Sequence, residues 1–120
     1  MDILVVEDDP PLREAFAHVL RAFGYEVTTA ENGEQALEII NQEKPQVVFL
    51  DVMMPKLNGM EVCRRVKKEQ GLSDVYIILL TAKGQELDRQ KGQEVGADLY
   101  MTKPFDPEAL LTKAREVLGL

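Results

Sequence analysis

The chain has 120 residues, the size of one domain and enough for a hydrophobic core. It is 45% hydrophobic and 29% charged, which is typical of a soluble globular protein, and no apolar stretch is long enough to span a membrane. The net charge of -7 argues against nucleic-acid binding by this chain, because phosphate contacts need clustered Lys and Arg. The single cysteine, Cys63, excludes an internal disulfide and favours a cytoplasmic location.

Apolar runs predict five strands along the chain. Continuous runs without polar alternation are typical of parallel strands that are covered on both faces. The second run alternates more, as an edge strand does. The predicted strands are β1 (2–7), β2 (25–30), β3 (47–51), β4 (75–80) and β5 (99–102).

Apolar residues at helical spacing predict a helix after each strand. The predicted helices are α1 after Asp9, α2 from Asn32, α3 around 62–66, α4 near 85–95 and α5 after Asp106. The core stripe of α1 runs to Phe23, and α4 has the thinnest stripe. Regular strand-helix repetition implies right-handed crossovers and a parallel sheet with helices on both faces.

Polar side chains stand at the carboxyl ends of four predicted strands. They are, in chain order, Glu7, Asp8, Asp9, Asp51, Thr81 and Lys103. In open α/β sheets, ligands bind outside this edge. Several carboxylates, a hydroxyl and an ammonium group therefore predict an active site for a divalent cation and a phosphoryl group.

Five short motifs, in order and on successive strand ends, resemble those of response-regulator receiver domains of the CheY-like superfamily. The motifs are Val5–Asp8, Leu50–Pro55, Asn58–Gly59, Leu80–Ala82 and Lys103–Phe105. The resemblance covers the chain end to end. It implies one receiver domain over 1–120 and a flavodoxin-like (βα)5 open parallel sheet with strand order 2-1-3-4-5. It also implies a role in two-component signalling.

Asp51 resembles the phosphoacceptor of this family, which takes a phosphoryl group from a sensor histidine kinase or a histidine phosphotransfer protein. A carboxylate can attack phosphorus, but an anion must then attack an anion, and Mg²⁺ (or Mn²⁺) relieves that repulsion. The metal ligands that the resemblance implies are Glu7 through a water, Asp8, Asp51 and the carbonyl of Met53. The implied contacts to the phosphoryl group are Thr81, Lys103 and the N–H of Ala82.

The resemblance also implies a switch that carries phosphorylation to the surface of α4, β5 and α5. Thr81 and Tyr100 are the expected switch residues, although Tyr100 equally fits ordinary strand packing. That surface would contact an output domain, an effector protein or a second copy of the chain, with neither nucleic acid nor membrane bound by this domain. A free-standing receiver, a receiver joined to an effector domain, and a degenerate receiver that acts only as an interaction module stay open.

Two other classes of protein fit less well. A flavodoxin-type FMN carrier needs a Ser/Thr/Gly-rich phosphate loop after β1, where this chain has Glu7, Asp8 and Asp9. A phosphatase of the haloacid dehalogenase class needs a second Asp two residues after the nucleophile, where Met53 stands. Three further residues are expected to have no part in the site chemistry. Asp9 is predicted to cap α1, Cys63 to fill space in the core, and His18 to be exposed to solvent.

Overall fold

The computed structural model describes residues 1–52, 58–72, 74–81, 96–102 and 107–119, and of Tyr100 and Thr102 it describes the backbone alone. The strands are β1 (Ile3–Val6), β2 (Val27–Ala30), β3 (Val47–Asp51), β4 (Tyr76–Thr81) and β5 (Leu99–Thr102). All neighbouring strands are parallel, in the order β2-β1-β3-β4-β5. The predicted flavodoxin-like strand order is therefore confirmed.

Helices cover both faces of this sheet. They are α1 (Pro10–Ala22), α2 (Gly33–Glu43), α3 (Gly59–Arg64), which continues as a π-helical turn over Arg65–Glu69, and α5 (Pro107–Leu118). The predicted α4 falls within 82–95, outside the described residues. Within the described parts of the chain, no helix is long and apolar enough to cross a membrane.

The central strands explain why their apolar runs are unbroken. Successive side chains of a strand point to opposite faces. Leu4 and Val6 accordingly join the core cluster with α2 and α3, whereas Ile3 and Val5 join the cluster with α1 and α5. Each face is buried under helices, so every position of β1 must be apolar.

The end of α1 differs from the prediction. The predicted core stripe includes Phe23, but α1 ends at Ala22 and Phe23 is 44% exposed. Its ring lies 4.7 Å from the Arg115 guanidinium and 5.7 Å from the Tyr25 ring centroid. The helix ends one residue before Phe23 because Gly24, at φ +104°, turns the chain out of the helix.

The prediction that Asp9 caps α1 holds for the backbone and not for the side chain. Asp9 occupies the N-cap position and its carbonyl accepts the Arg13 N–H at 2.9 Å, but its carboxylate makes no capping hydrogen bond. Pro10 and Pro11 follow at the first two helical positions and have no N–H to offer. The cap carboxylate therefore has fewer donors to accept from than at an ordinary helix start.

The predictions for Cys63 and His18 are confirmed. Cys63 lies on the buried face of α3, fully within the core, and burial raises the pKa of its thiol to about 12. A thiol that stays protonated near neutral pH is a poor nucleophile, so Cys63 acts as a small core side chain. His18 lies on the exposed side of α1.

Candidate phosphoryl and metal site

Three carboxylates meet at the carboxyl edge of the sheet. Glu7 follows β1, Asp8 is the next residue, and Asp51 ends β3. One carboxylate oxygen from each lies within 4.8 Å of the other two. Glu7 is 1% exposed and Asp51 is 3% exposed, whereas Asp8 is exposed to solvent. Two acids of the cluster, Glu7 and Asp51, are therefore buried, and the third, Asp8, faces solvent.

Strand register brings these acids together. Val6 pairs with Leu50, so the residues that follow, Glu7 and Asp51, lie side by side. The Glu7 N–H donates to the Ala30 carbonyl at 3.1 Å, which continues the ladder between β1 and β2 by one bond. Residues that are 44 positions apart in the sequence thus become neighbours through backbone pairing alone.

The donor set suits a hard divalent cation. Carboxylate oxygens are the ligands that Mg²⁺ and Mn²⁺ prefer, and Mg²⁺ commonly takes only one or two protein carboxylates while keeping several waters. Two buried carboxylates beside a third repel one another in a medium of low polarity unless positive charge is nearby. The open side at Asp8 leaves room for water and a ligand. The residues present therefore fit such an ion.

The first turn of α3 packs directly on the backbone of Asp51. The Gly59 N–H donates to the Val52 carbonyl at 3.0 Å. A Cβ atom at Gly59 would lie 2.3 Å from the Asp51 carbonyl oxygen and 3.0 Å from the Val52 Cα. Asn58 caps this helix, since its side chain accepts the Glu61 N–H at 2.9 Å. Only glycine allows this close approach.

Thr81 ends the neighbouring strand β4. Asp51 pairs with Leu80, so Thr81 lies one residue beyond the Asp51 register. Its side chain is buried, and its hydroxyl donates to the Met101 carbonyl on β5 at 3.3 Å. The hydroxyl thus links the end of β4 to the strand that carries Tyr100.

The structure places four of the predicted site residues at this edge, namely Glu7, Asp8, Asp51 and Thr81. Met53, Ala82 and Lys103 lie outside the described residues, as does the side chain of Tyr100.

Sequence reasoning missed one residue at the site. The Arg13 guanidinium donates from Nη1 to the Glu7 carbonyl at 2.9 Å. In the sequence Arg13 is one more polar residue of an amphipathic helix. The only sequence feature that sets Arg13 apart is its position near the start of α1, shortly after the two prolines.

Comparisons with known proteins point to one family. The model of the response regulator receiver domain family matches residues 3–115. The chain is 52% identical to "Probable transcriptional regulator ycf27" of Porphyra purpurea, over 97% of this chain and 46% of that protein. It is 46% identical to the phosphate regulon transcriptional regulatory protein PhoB of Pseudomonas aeruginosa, over 97% of this chain and 51% of that protein.

A solved structure extends the likeness to the fold. The response regulator DrrB of Thermotoga maritima, an OmpR/PhoB homolog, matches with a TM-score of 0.85 and 38% identity, over 98% of this chain and 52% of that one. The chain thus spans about half the length of the curated relatives it matches. Since the family model covers nearly all of the sequence, the chain belongs to the response regulator receiver domain family.

Proposed function

We propose that the chain accepts a phosphoryl group on Asp51 from a sensor histidine kinase or a histidine phosphotransfer protein. The observation that carries this proposal is the meeting of Glu7, Asp8 and Asp51 within 4.8 Å at the ends of two adjacent strands. Among the three, Asp51 combines burial with a place at the end of the central strand β3. A buried, backbone-fixed carboxylate is well positioned as a nucleophile.

In the proposed reaction, a carboxylate oxygen of Asp51 attacks phosphorus. The new P–O bond forms while the P–N bond of a phosphohistidine breaks, and the imidazole nitrogen takes the bonding electrons. When bound, Mg²⁺ or Mn²⁺ would neutralise charge on the phosphoryl oxygens. Asp8, Asp51 and the Met53 carbonyl would hold the ion directly, and Glu7 would hold it through a water. The receiver would catalyse only its own phosphorylation and dephosphorylation.

Three further groups complete the proposed site. Lys103 would pair with phosphoryl oxygens as a point charge, and the Ala82 N–H would donate to another. Thr81 would donate its hydroxyl to a phosphoryl oxygen and so give up its bond to the Met101 carbonyl. That exchange offers a direct route from the site to β5, the strand of Tyr100.

The proposed output follows from this route. The surface of α4, β5 and α5 would change and contact an output domain, an effector protein or a second copy of the chain. We favour an output domain, because the relatives named as transcriptional regulators are about twice the length of the chain. Residues 1–120 would act as one receiver unit in the cytoplasm, and the charge of -7 argues against nucleic-acid contact by this unit.

Labelling with a small phosphoryl donor tests the function. Incubation with acetyl phosphate and Mg²⁺ should add one phosphoryl group per chain, measured as intact mass. Hydroxylamine should remove it, because an acyl phosphate is open to nucleophiles at its carbonyl carbon. Excess EDTA is the control and should prevent labelling. Labelling that proceeds equally in EDTA would contradict the proposed metal site.

Replacing Thr81 with Val tests the proposed switch, because it exchanges a hydroxyl for a methyl group at nearly constant volume. The lost hydrogen bond to Met101 should cost about 1 kcal/mol of stability. Mg²⁺ affinity should be unchanged, since Thr81 is not a proposed ligand. The phosphoryl mimic beryllofluoride should change hydrogen exchange along β5 in the unaltered chain and much less in the variant.

Thr28→Val on the edge strand β2 is the matched control for this switch test and should keep the full response. A full β5 response in Thr81→Val would rule out the Thr81 hydroxyl as the link between the site and β5.

A further inference from the structure

The loop that carries the acids is anchored at two points by one residue. Arg13 donates its backbone N–H to the Asp9 carbonyl at 2.9 Å, and its guanidinium Nη1 to the Glu7 carbonyl at 2.9 Å. These two carbonyls flank Asp8 on either side. One half-buried residue of α1 therefore holds the backbone on both sides of Asp8, through its N–H on one side and its guanidinium on the other.

The Glu7 carbonyl needs such a donor. The strand β1 ends at Val6, and the last ladder bond on this side is the one that the Glu7 N–H makes to Ala30. A backbone carbonyl that leaves a ladder at a buried residue must find another donor. Helix N-termini often supply free N–H groups, but the first two positions of α1 are Pro10 and Pro11, which have none. The guanidinium fills this role from the next turn.

We propose that Arg13 is a positioning residue for the divalent cation, holding Glu7 and Asp8 in the geometry that the ion requires. The inference rests on the proposed function, because it assigns the support of that same site. Mg²⁺ demands near-ideal ligand geometry, so a loop free to shift would bind it less well. Partners that fix the ligands from outside the coordination sphere typically matter 10–100-fold in metal affinity.

Positioning and charge predict opposite results for this residue. The guanidinium is a fixed positive charge close to the acids, and by Coulomb repulsion alone its removal would strengthen the binding of a second cation. Its removal would weaken binding if the hydrogen bond to Glu7 matters more. Arg13→Met removes both the charge and the donor and keeps the apolar stem. Weaker Mg²⁺ binding in this variant would show that positioning dominates, and tighter binding would show that charge repulsion dominates.

A matched control stands on the same helix. Arg21 donates its guanidinium Nη2 to the Val27 carbonyl at 2.9 Å, the same type of bond across the same number of residues. Val27 is the first residue of β2, so this bond lies at the amino ends of the parallel strands, whereas the acids lie at the carboxyl ends. Arg21→Met therefore removes an equivalent contact of α1 without touching the loop of Glu7 and Asp8.

The experiment measures Mg²⁺ binding by calorimetry and the Mg²⁺ dependence of acetyl phosphate labelling in the folded variants. Arg13→Met should raise the Mg²⁺ dissociation constant roughly tenfold, with labelling at saturating Mg²⁺ close to that of the unaltered chain. Arg13→Lys, which keeps a donor and the charge, should recover part of the affinity. Arg21→Met should bind Mg²⁺ as the unaltered chain does.

Two results would overturn the inference alone. One is unchanged or tighter Mg²⁺ binding in Arg13→Met, and the other is an equal loss of affinity in Arg21→Met, which would point to a general effect of loosening α1. Absence of Mg²⁺ binding by the unaltered chain would overturn the proposed function and the inference with it.

Discussion

Replacing Asp51 with Asn is expected to abolish labelling by acetyl phosphate. The amide has nearly the size of the carboxylate but carries no charge and is a poor nucleophile toward phosphorus. Mg²⁺ binding should weaken as well, since one of three clustered carboxylates is lost. Intact-mass spectrometry measures the first effect as a missing phosphoryl group, and calorimetry measures the second.

Asp74→Asn is the matched control for this experiment. Asp74 is an exposed acid in the turn before β4, and its replacement changes the net charge by the same amount. It should label as the unaltered chain does. Full labelling of Asp51→Asn would contradict the assignment, and peptide mapping would then identify which other carboxylate carries the phosphoryl group.

Gly59→Ala is expected to damage both stability and the site. The added methyl would meet the Asp51 carbonyl oxygen at 2.3 Å and the Asp51 carbonyl carbon at 2.9 Å. These are backbone atoms of the central strand, so neither can turn aside as a flexible side chain could. Adding atoms to packed structure commonly lowers the free energy of unfolding by about 1–3 kcal/mol. Because this clash is with backbone, we expect a loss of about 3 kcal/mol or more. Denaturant unfolding measures that loss.

The Gly59 variant should also bind Mg²⁺ more weakly, because the atoms that must yield belong to Asp51. Asn58→Ala is the neighbouring control. It removes the capping bond to the Glu61 N–H, which should cost about 1 kcal/mol, but it places no atom on Asp51. Loss of stability without loss of Mg²⁺ affinity is expected there. Normal affinity in Gly59→Ala would mean that α3 shifts away and leaves the acids in place.

The apolar runs were sufficient to locate the five strands, because a run of apolar residues is a local feature of the sequence. Two of the five strands, β3 and β5, lie where the apolar runs predicted them, and β1, β2 and β4 differ by one or two residues at their ends. Errors appeared where an element ends. Phe23 fits the helical period but lies just past the last turn of α1, and its place is set by Gly24 and by contact with Arg115.

The candidate site divides in the same way. The sequence by itself determined which residue types follow each strand, since an acid after a buried apolar run is visible without coordinates. Parallel pairing then requires Glu7 and Asp51 to be neighbours. The family motifs implied the strand order, and the structure adds the register that pairs Val6 with Leu50.

Only the tertiary structure decided how that edge is held together. The Arg13 bond to the Glu7 carbonyl, the contact of Gly59 with Asp51, and the Thr81 bond to Met101 each join separate elements. Their partners are backbone atoms, which are the same in every residue and leave no mark in the sequence. Such contacts depend on distances and angles between packed helices and strands, so they exist only once the fold has placed those elements.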